Sequence, residues 1–402
     1  MKYVVLLGDG MSDEPIEELG GKTPLEHAKT PNMDRLAREG QCGLAYTVPD
    51  GFHPGSDVAN LSVFGYNPAE CYSGRSPLEA ASMGVELAPE DVAFRLNLVT
   101  LTANYGKLYM EDFSADHITT EEATELINCL QSELGGDEFH FYPGVSYRHL
   151  MVWKNGKDKL KFFPPHDISD QTVEDYMPQG DGAAELIDLM TSSQMLFRHH
   201  PVNVQRESNR KLPASSIWLW GHGRAPRMET MQQRFGINGG AVISAVDLIK
   251  GIGIYAGLDV INVPGATGYI DTNYRGKAEA ALESLKTRDF VYLHVEAPDE
   301  AAHSGNLEHK LSAIESFDRD VVGTVLDGLK SFSDYRVVVL PDHPTPVLKK
   351  THTSDPVPFA LYGSNGEFKP VKEATCYSEQ QAKESGLVFN PGYNLMAELT
   401  RS

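Results

Sequence analysis

The 402-residue sequence has few cysteines and no long apolar run. The four cysteines are far apart and none has CxxC spacing. This pattern fits reduced thiols in the cytoplasm. No apolar stretch approaches the roughly 20 residues of a membrane span. The first residues lead straight into a strand-like segment rather than a secretion signal. We therefore expect a cytoplasmic protein without membrane contact.

Positive charge is also scarce. The chain has 35 Lys and Arg against 56 Asp and Glu, a formal net charge of -21. Nucleic acids and anionic membranes are bound by basic patches, and none is seen, so both are excluded as partners. The acidity is spread along the chain, and a solvated surface is its default explanation. The composition fits a soluble metabolic enzyme, and the length predicts two domains.

Three short apolar stretches each lead into an aspartate. They are residues 3–7 before Asp9, residues 290–295 before Asp299 and residues 337–340 before Asp342. Their length and β-branched content predict strands buried on both faces of a mainly parallel sheet. Ligands collect beyond the carboxyl ends of such strands. Carboxylates gathered there would repel one another by about 4 kcal/mol per pair at 4 Å and an effective dielectric near 20. A cation is expected to offset that repulsion.

Histidines near these acids indicate what the cation is. His303 lies four residues after Asp299, on the same face of a helix. His343 follows Asp342 directly, and His352 comes soon after. Each pair alone is weak, since such residues are more often capping, turn or surface groups. Together, mixed Asp and His ligation suits zinc, manganese or a similar divalent ion, and about seven ligands suit two ions rather than one.

The best candidate for a nucleophile is Ser56, in a loop rich in glycine and proline that leads into a helix-like stretch. A serine there is ordinarily an N-cap. The same position also stabilises a phosphate on that oxygen, because a helix N-terminus attracts anions. A bound metal lowers the pKa of a hydroxyl as it does that of water, from about 15.7 to about 7 in the best case. No general base is then required.

These residues resemble the alkaline phosphatase superfamily, and within it the archaeal-type cofactor-independent phosphoglycerate mutases. The matching segments cover nearly the whole chain: residues 8–13, 31–34, 53–57, 77–81, 264–268, 299–308, 342–343 and 352–358. The resemblance implies an α/β, alkaline-phosphatase-like core with a mainly parallel central sheet flanked by helices. It also implies a smaller inserted α/β capping domain.

The resemblance further implies a role for each site residue. One ion would be held by Asp299, His303 and His352, and the other by Asp9, Asp342, His343 and the Ser56 oxygen. The two divalent ions would be manganese, or else zinc, cobalt or magnesium. Ser56 would take the phosphoryl group, become phosphoserine and pass the group on, a reaction that suits a two-metal clamp.

The chain departs from the mutases in one segment. Where they carry Asp-Arg-Arg-Ala-Gly-Arg after a strand, residues 109–118 read YMEDFSADHI. Arginine's planar fork suits the phosphate and carboxylate of phosphoglycerate, so acids in its place disfavour a doubly anionic substrate. This segment resembles the branch proposed to act as homoserine kinases in threonine biosynthesis. The main hypothesis is therefore phosphorylation of an amino-acid hydroxyl, with ATP as candidate donor.

Three alternatives stay open. The first is interconversion of 2- and 3-phosphoglycerate, as in glycolysis, with arginines elsewhere binding the substrate; the candidates are Arg148, Arg198, Arg224 and Arg227. The second is a metal-dependent phosphatase, which would use the same metals but admit water freely. The third, a metal-binding protein without catalysis, is disfavoured because Ser56 stands in the nucleophile's place. Each enzymatic hypothesis has a small phosphorylated or hydroxylated metabolite as its partner.

The positions of the site residues predict the domain organisation. Because they lie in the first sixty residues and after residue 298, the middle of the chain is expected to leave the core. We predict a metal-binding core of residues 1–95 and 215–402, and an inserted substrate-capping domain of residues 96–214. Arg148, His166 and Arg224 are predicted substrate contacts.

Several segments have clear local patterns. Residues 120–134 predict a helix in the insert. Strands are expected over 147–153 and 159–163, joined by the Asn155-Gly156 turn. After the insert, residues 239–256 predict a helix and residues 290–295 a strand.

Overall fold

The computed structural model describes residues 1–401, which alternate between strands and helices. The strands are β1 Lys2–Gly8, β2 Gln41–Ala45, β3 Val92–Asn104, β4 Lys107–Asp112, β5 Phe139–Val145, β6 Arg148–Trp153, β7 Leu160–Lys161, β8 Gln179–Gly180, β9 Ser216–Arg224, β10 Gly240–Ile243, β11 Asp259–Val260, β12 Phe290–Val295, β13 Tyr335–Leu340, β14 Val357–Gly363 and β15 Val388–Phe389. The α-helices are α1 Pro24–His27, α2 Pro31–Glu39, α3 Ser56–Val63, α4 Pro68–Cys71, α5 Ser76–Ser82, α6 Thr120–Glu133, α7 Ala183–Phe197, α8 Pro201–Ser208, α9 Met231–Phe235, α10 Asp247–Tyr255, α11 Tyr274–Leu285, α12 Ala297–His303, α13 Leu307–Ser316, α14 Gly323–Leu329, α15 Glu379–Ser385 and α16 Asn394–Thr400. A search of residues 1–401 finds no helix with the length and apolar content needed to cross a membrane.

The first compact unit, Met1–Tyr72 with Arg227–Ser402, contains an eight-stranded sheet. Its strand order is β11-β10-β12-β1-β13-β14-β2-β15. The first five strands run parallel, and β14 is antiparallel to both of its neighbours. The core on one face joins β1, β12 and β13 to side chains of α11, α13 and α14. The predicted α/β core with a mainly parallel sheet is confirmed.

The register of the central strands explains where the acids meet. Leu7 of β1 pairs with His294 of β12 on one side and with Leu340 of β13 on the other, so the three strands end almost level. Asp9 follows β1 directly, Asp299 lies in the first turn of α12 after β12, and Asp342 follows β13. Carboxyl ends of parallel strands share one edge, and the three acids are therefore brought to the same edge.

The second compact unit, Ser73–Pro226, is built on an antiparallel sheet. The long strand β3 pairs with β4, β6 and β9, and β5 pairs with β6. Side chains of α6 and α7 pack with β3 in one core, and Ala80 of α5 packs with Ala93 and Leu150 in another. Helix α5 and all of β3 and β9 belong to this unit, which therefore begins before and ends after the predicted insert of residues 96–214.

Two local predictions differ from the structure. The predicted helix over residues 239–256 is strand β10 followed by helix α10, because residues 240–243 pair with β12 in the central sheet. Strand β7 pairs with β8 rather than with β6, so the predicted hairpin at Asn155-Gly156 does not form. The helix α6 and the strand β12 are as predicted. Helix α6 begins with a capping box in which Thr119 Oγ1 accepts from Glu122 N, a sequence signal for a helix start.

Candidate metal centre and nucleophile

The seven predicted ligand residues form one connected cluster in the first unit. Ligand atoms of Asp9, Asp342 and His343 lie within 4.8 Å of one another, as do those of Asp299, His343 and His352. Ser56, the first residue of α3, places its Oγ 3.2 Å from His343 Nε2. His303 Nε2 lies 3.2 Å from Asp299 Oδ2.

His343 lies between the two groups of ligands. Its Nε2 is 3.3 Å from Asp342 Oδ2 and 3.7 Å from Asp9 Oδ1. Its ring centroid is 4.0 Å from that of His352. The resemblance assigned His343 to one ion, and the geometry places it beside the residues of both.

Backbone carbonyls orient two of the histidines. His303 Nδ1 lies 3.0 Å from Lys350 O, and His352 Nδ1 lies 3.3 Å from Pro54 O. A carbonyl only accepts, so Nδ1 of each ring carries a proton. The two Nε2 atoms are 2.8 Å apart, and they lie 3.2 Å and 3.5 Å from the Asp299 carboxylate. When Nε2 of both rings is unprotonated, the two lone pairs face each other, and this arrangement fits metal binding.

A threonine fixes the third histidine in the same way. Thr345 Oγ1 donates to Asp299 Oδ1 at 2.5 Å, and it lies 3.2 Å from His343 Nδ1. Because the hydroxyl has a single proton, it must accept from His343 Nδ1–H, which leaves the Nε2 lone pair toward the carboxylates. Burial lowers the pKa of His343, and the ring is neutral as a ligand would be.

The carboxylates show why a cation is needed. Burial, and then the neighbouring Asp342 and Asp299, raise the pKa of Asp9 well above its ordinary value. Asp9 Oδ1 is buried and has no hydrogen-bond partner among the described residues. Burial also acts to raise the pKa of Asp299, but hydrogen bonds from His303 and His352 hold it well below its usual range. An unpartnered carboxylate oxygen beside imidazole lone pairs is a donor set that fits a divalent ion.

Residues that the sequence did not single out hold this centre together. Asn60, one turn after Ser56 on α3, donates from Nδ2 to Asp342 Oδ2 and to Ser56 O, both at 2.8 Å. Its Oδ1 accepts from Tyr292 Oη at 2.6 Å. The i, i+4 spacing from Ser56 was an available signal for Asn60. Tyr292 and His294, two polar residues alternating in an otherwise apolar strand, were a second signal.

Several arginines of the second unit lie close to one another. Glu79 pairs with two of them, through Oε1 to Arg75 Nε and Oε2 to Arg95 Nε, both at 3.1 Å. The Arg95 guanidinium lies 4.2 Å from the Trp220 ring centroid. Burial and then the nearby guanidinium groups of Arg75 and Arg148 lower the pKa of Arg95, and Glu79 opposes that shift. Three cationic groups are therefore close together in an acidic protein.

Two of the predicted substrate contacts belong to this neighbourhood. Arg148 of β6 pairs with Asn97 of β3, and Leu150 of β6 pairs with Arg95 of β3. Because alternate residues of a strand point to the same face, Arg148 and Arg95 lie on the same face of the sheet. His166 packs its ring against Trp220, with centroids 5.3 Å apart. The substrate roles of Arg148 and His166 stay predictions. Arg75 and Arg95 were missed because the pairing of β3, β6 and β9 is not visible in the sequence.

The third predicted substrate contact, Arg224, is held by groups of its own unit. Its Nε donates to Asp158 Oδ2 at 2.8 Å and its Nη2 to Gly156 O at 2.9 Å, while Nη1 lies near the Glu90 backbone and side chain. These contacts account for its position without a ligand. A substrate role for Arg224 stays a prediction.

Comparisons with known proteins bear on the family. Residues 37–203 match the family described as 2,3-bisphosphoglycerate-independent phosphoglycerate mutase. A Geobacter sulfurreducens protein named as a probable enzyme of that kind is 61% identical over 396 residues, covering 98% of each chain. The chain belongs to this mutase family. The resemblance found in the sequence is thereby confirmed.

Solved structures agree with the fold of this family member. A protein from Pyrococcus horikoshii has a TM-score of 0.83 at 29% identity, over 99% of this chain and 97% of that one. The cofactor-independent phosphoglycerate mutase of Thermoplasma acidophilum has a TM-score of 0.70 at 26% identity, over 100% and 99% of the two chains. The names of the Geobacter and Thermoplasma proteins favour the phosphoglycerate alternative and give no support to the homoserine kinase hypothesis.

Proposed function

We propose that this mutase-family protein interconverts 2- and 3-phosphoglycerate through a phosphoserine at Ser56. The observation that carries the proposal is the position of Ser56, whose hydroxyl opens helix α3 and lies 3.2 Å from His343 Nε2, inside the ligand cluster. The names of the relatives supply the substrate class. The arginines of the second unit and the local contacts of residues 109–118 favour this function over the homoserine kinase hypothesis.

The chain's own residues would act as follows. Ser56 Oγ attacks phosphorus and loses its proton, so that its bond to phosphorus forms as the bond to the glycerate oxygen breaks, and that oxygen takes up a proton. The hydroxyl on the neighbouring glycerate carbon then loses its proton and attacks the phosphoserine, and Ser56 Oγ leaves and takes up a proton, which restores the free serine. The first N–H groups of α3 lack partners within the helix and would stabilise the phosphate on Ser56. Asn60 holds the Ser56 backbone in place throughout.

Two divalent ions, manganese or else zinc, cobalt or magnesium, would be held by the two predicted ligand sets, with His343 close to both. When bound, such ions activate the attacking oxygen and neutralise charge on the phosphoryl group. The buried Asp9 Oδ1, which has no hydrogen-bond partner among the described residues, and the facing Nε2 atoms of His303 and His352 support this assignment.

The charges of the second unit support a doubly anionic substrate. The kinase hypothesis rested on residues 109–118, where acids replace the arginines of other mutases. Arginines from other elements, Arg75, Arg95 and Arg148, are close to one another instead. Guanidinium forks of this kind suit the carboxylate and phosphate of phosphoglycerate.

Two of the three acids of residues 109–118, Glu111 and Asp112, have local partners. Asp112 Oδ1 accepts from both N and Oγ of Ser114 at 2.6 Å, which closes a turn after β4. Glu111 is hydrogen-bonded to the Thr102 hydroxyl. These carboxylates thus have structural roles that do not require an amino group on the substrate.

The test compares substrates on one preparation. Purified protein with Mn²⁺ is assayed on 3-phosphoglycerate, with product formation followed through enolase, and separately on homoserine with ATP. We expect turnover of phosphoglycerate and none of homoserine. The Ser56→Ala variant should lose at least about 10³-fold in rate, since a nucleophile has no substitute.

Two outcomes would contradict the proposal. Phosphohomoserine without phosphoglycerate turnover would restore the kinase hypothesis. Sustained phosphate release from an aryl phosphate, at rates matching transfer, would instead favour a phosphatase.

A further inference from the structure

A fully buried histidine contacts the carboxylate of Asp9 from the adjacent strand. His294, in β12, is 0% exposed and places Nε2 2.8 Å from Asp9 Oδ2. Its Nδ1 lies 3.1 Å from Ser244 Oγ, just beyond β10. Neither His294 nor Ser244 is in the predicted ligand set, and the proposed reaction leaves both without a role.

The contact with Asp9 determines where the proton of His294 lies. A carboxylate oxygen only accepts, so His294 Nε2 carries a proton and donates to Asp9 Oδ2. In the neutral ring Nδ1 is then an acceptor, and the Ser244 hydroxyl donates to it. Val246 N donates to Ser244 Oγ at 2.9 Å and holds that hydroxyl in place.

The surroundings of His294 differ from those of the three predicted ligand histidines. In His303, His343 and His352, Nδ1 faces a carbonyl or hydroxyl oxygen, which leaves Nε2 as the ring atom available to an ion. In His294, Nε2–H is instead a donor to Asp9. The ring therefore does not present a lone pair to an ion, and its contact is with a carboxylate.

The two oxygens of Asp9 are made unequal by this contact. Oδ2 is occupied by His294, whereas Oδ1 is buried without a partner among residues 1–401 and lies 3.7 Å from His343 Nε2. A carboxylate held by one oxygen cannot exchange its two oxygens by rotation about χ2 without breaking that hydrogen bond. Oδ1 is thus the oxygen kept for an ion.

We propose that Ser244 and His294 form a relay that positions Asp9 for metal binding, with Oδ1 directed at the ion, and that this relay sets the metal affinity of the Asp9 group. His294 and Ser244 are positioning residues in this scheme and do not touch the reacting atoms. The inference rests on the proposed ligand role of Asp9. Removing a group that holds a metal ligand by a hydrogen bond lowers metal affinity by about 10–100-fold.

The test measures Mn²⁺ binding rather than turnover. Protein stripped with chelator is titrated with Mn²⁺, and free Mn²⁺ is read by electron paramagnetic resonance. We expect His294→Leu to lower the affinity for one of the two Mn²⁺ ions by about 10–100-fold and to leave the affinity for the other unchanged. His294→Gln should recover most of that loss, because its amide nitrogen stands as many bonds from the backbone as His Nε2.

Two further variants complete the test. Ser244→Ala removes only a hydroxyl, so His294 Nδ1 loses its hydrogen-bond donor and the proton of His294 is no longer fixed on Nε2. The affinity for the same Mn²⁺ ion should fall by a smaller factor. This variant decides the matter if His294→Leu does not fold. His149, a buried histidine of the second unit, is the matched control. His149→Leu should leave both Mn²⁺ constants unchanged.

The outcomes separate this inference from the proposed function. Wild-type protein that binds no pair of Mn²⁺ ions, or Asp9→Asn that binds both normally, would remove the proposed metal centre. If Asp9→Asn loses one ion but His294→Leu and Ser244→Ala bind as the wild type does, the relay alone is wrong. A His294→Gln variant as weak as His294→Leu would also overturn it, since the donor would then not be what matters.

Discussion

Two neighbouring acids, Asp13 and Glu14, each pair with a lysine but in opposite surroundings. The Lys310 ammonium lies 2.7 Å from Asp13 Oδ2, and their side chains are 0% and 2% exposed. Lys310 also donates to the Thr345 and Ser12 carbonyls. Lys349 pairs with Glu14 at the surface, where the side chains are 47% and 52% exposed. We expect Lys310→Met to be severely destabilising and Lys349→Met to be nearly neutral.

The magnitude follows from burial. Two unit charges 2.7 Å apart attract by about 6 kcal/mol at an effective dielectric of 20. Removing one partner leaves the Asp13 carboxylate buried without its cation, which typically costs about 3–5 kcal/mol. An exposed pair contributes about 0–1 kcal/mol. The double variant Asp13→Asn, Lys310→Met has no orphaned charge and should recover part of the loss.

The assay is urea denaturation of chelator-stripped protein, so that metal loss does not contribute to the difference. The free energy of unfolding is compared for the wild type, both single lysine variants and the double variant. A Lys310→Met loss below about 1 kcal/mol, within the range of exposed pairs, would refute the reasoning. So would a double variant less stable than Lys310→Met, since the buried carboxylate would then not be the cause.

Two other predictions concern the second unit. Burial lowers the pKa of His149 to about 3. Between its unfolded pKa near 6.5 and pH 3, the unfolded chain is protonated at His149 whereas the folded chain is not, so the free energy of unfolding falls as the pH falls. Relative to His149→Asn, which keeps an acceptor for Gly144 N, the free energy of unfolding of the wild type should fall by about 2.3 kcal/mol between pH 6.5 and pH 4.5. The same pH dependence of unfolding in both proteins would contradict this. Arg95→Met should raise the KM for phosphoglycerate by about 10–100-fold, because a charge-assisted hydrogen bond to the substrate is lost. Arg224→Met is the comparison variant, with a smaller effect expected because Arg224 is held by Asp158 and Gly156; an unchanged KM in Arg95→Met would show that Arg95 does not contact the substrate.

The sequence predicted the centre of the fold well because that part follows a local rule. Each of the three metal-site strands is a short run of buried residues followed by an acid, and the three strands run parallel. The carboxyl ends of parallel strands meet at one edge of the sheet. The positions of Asp9, Asp299 and Asp342 follow from this rule alone. Strand β10 was mistaken for helix because residues 240–243 become a strand only through pairing with β12, and pairing over that sequence distance has no local signal.

The same limit explains what was missed around the site. Thr345 and His294 act through atoms that meet only after β1, β12 and β13 are assembled. The main substrate hypothesis has the same limit, and the names of the relatives give it no support. Residues 109–118 were weighed as one segment, whereas Arg75 and Arg95 come from an α-helix and a strand that pack together. Charge brought together by tertiary structure cannot be counted along the chain.

The most direct test of the proposed mechanism is to look for phosphate on Ser56. The Mn²⁺-loaded protein is mixed with 3-phosphoglycerate, quenched in acid during turnover, digested and examined by mass spectrometry. We expect a phosphoserine at Ser56, absent without substrate and absent from Ser56→Ala. Steady turnover with no phosphate on Ser56, or turnover retained in Ser56→Ala, would contradict transfer through this residue.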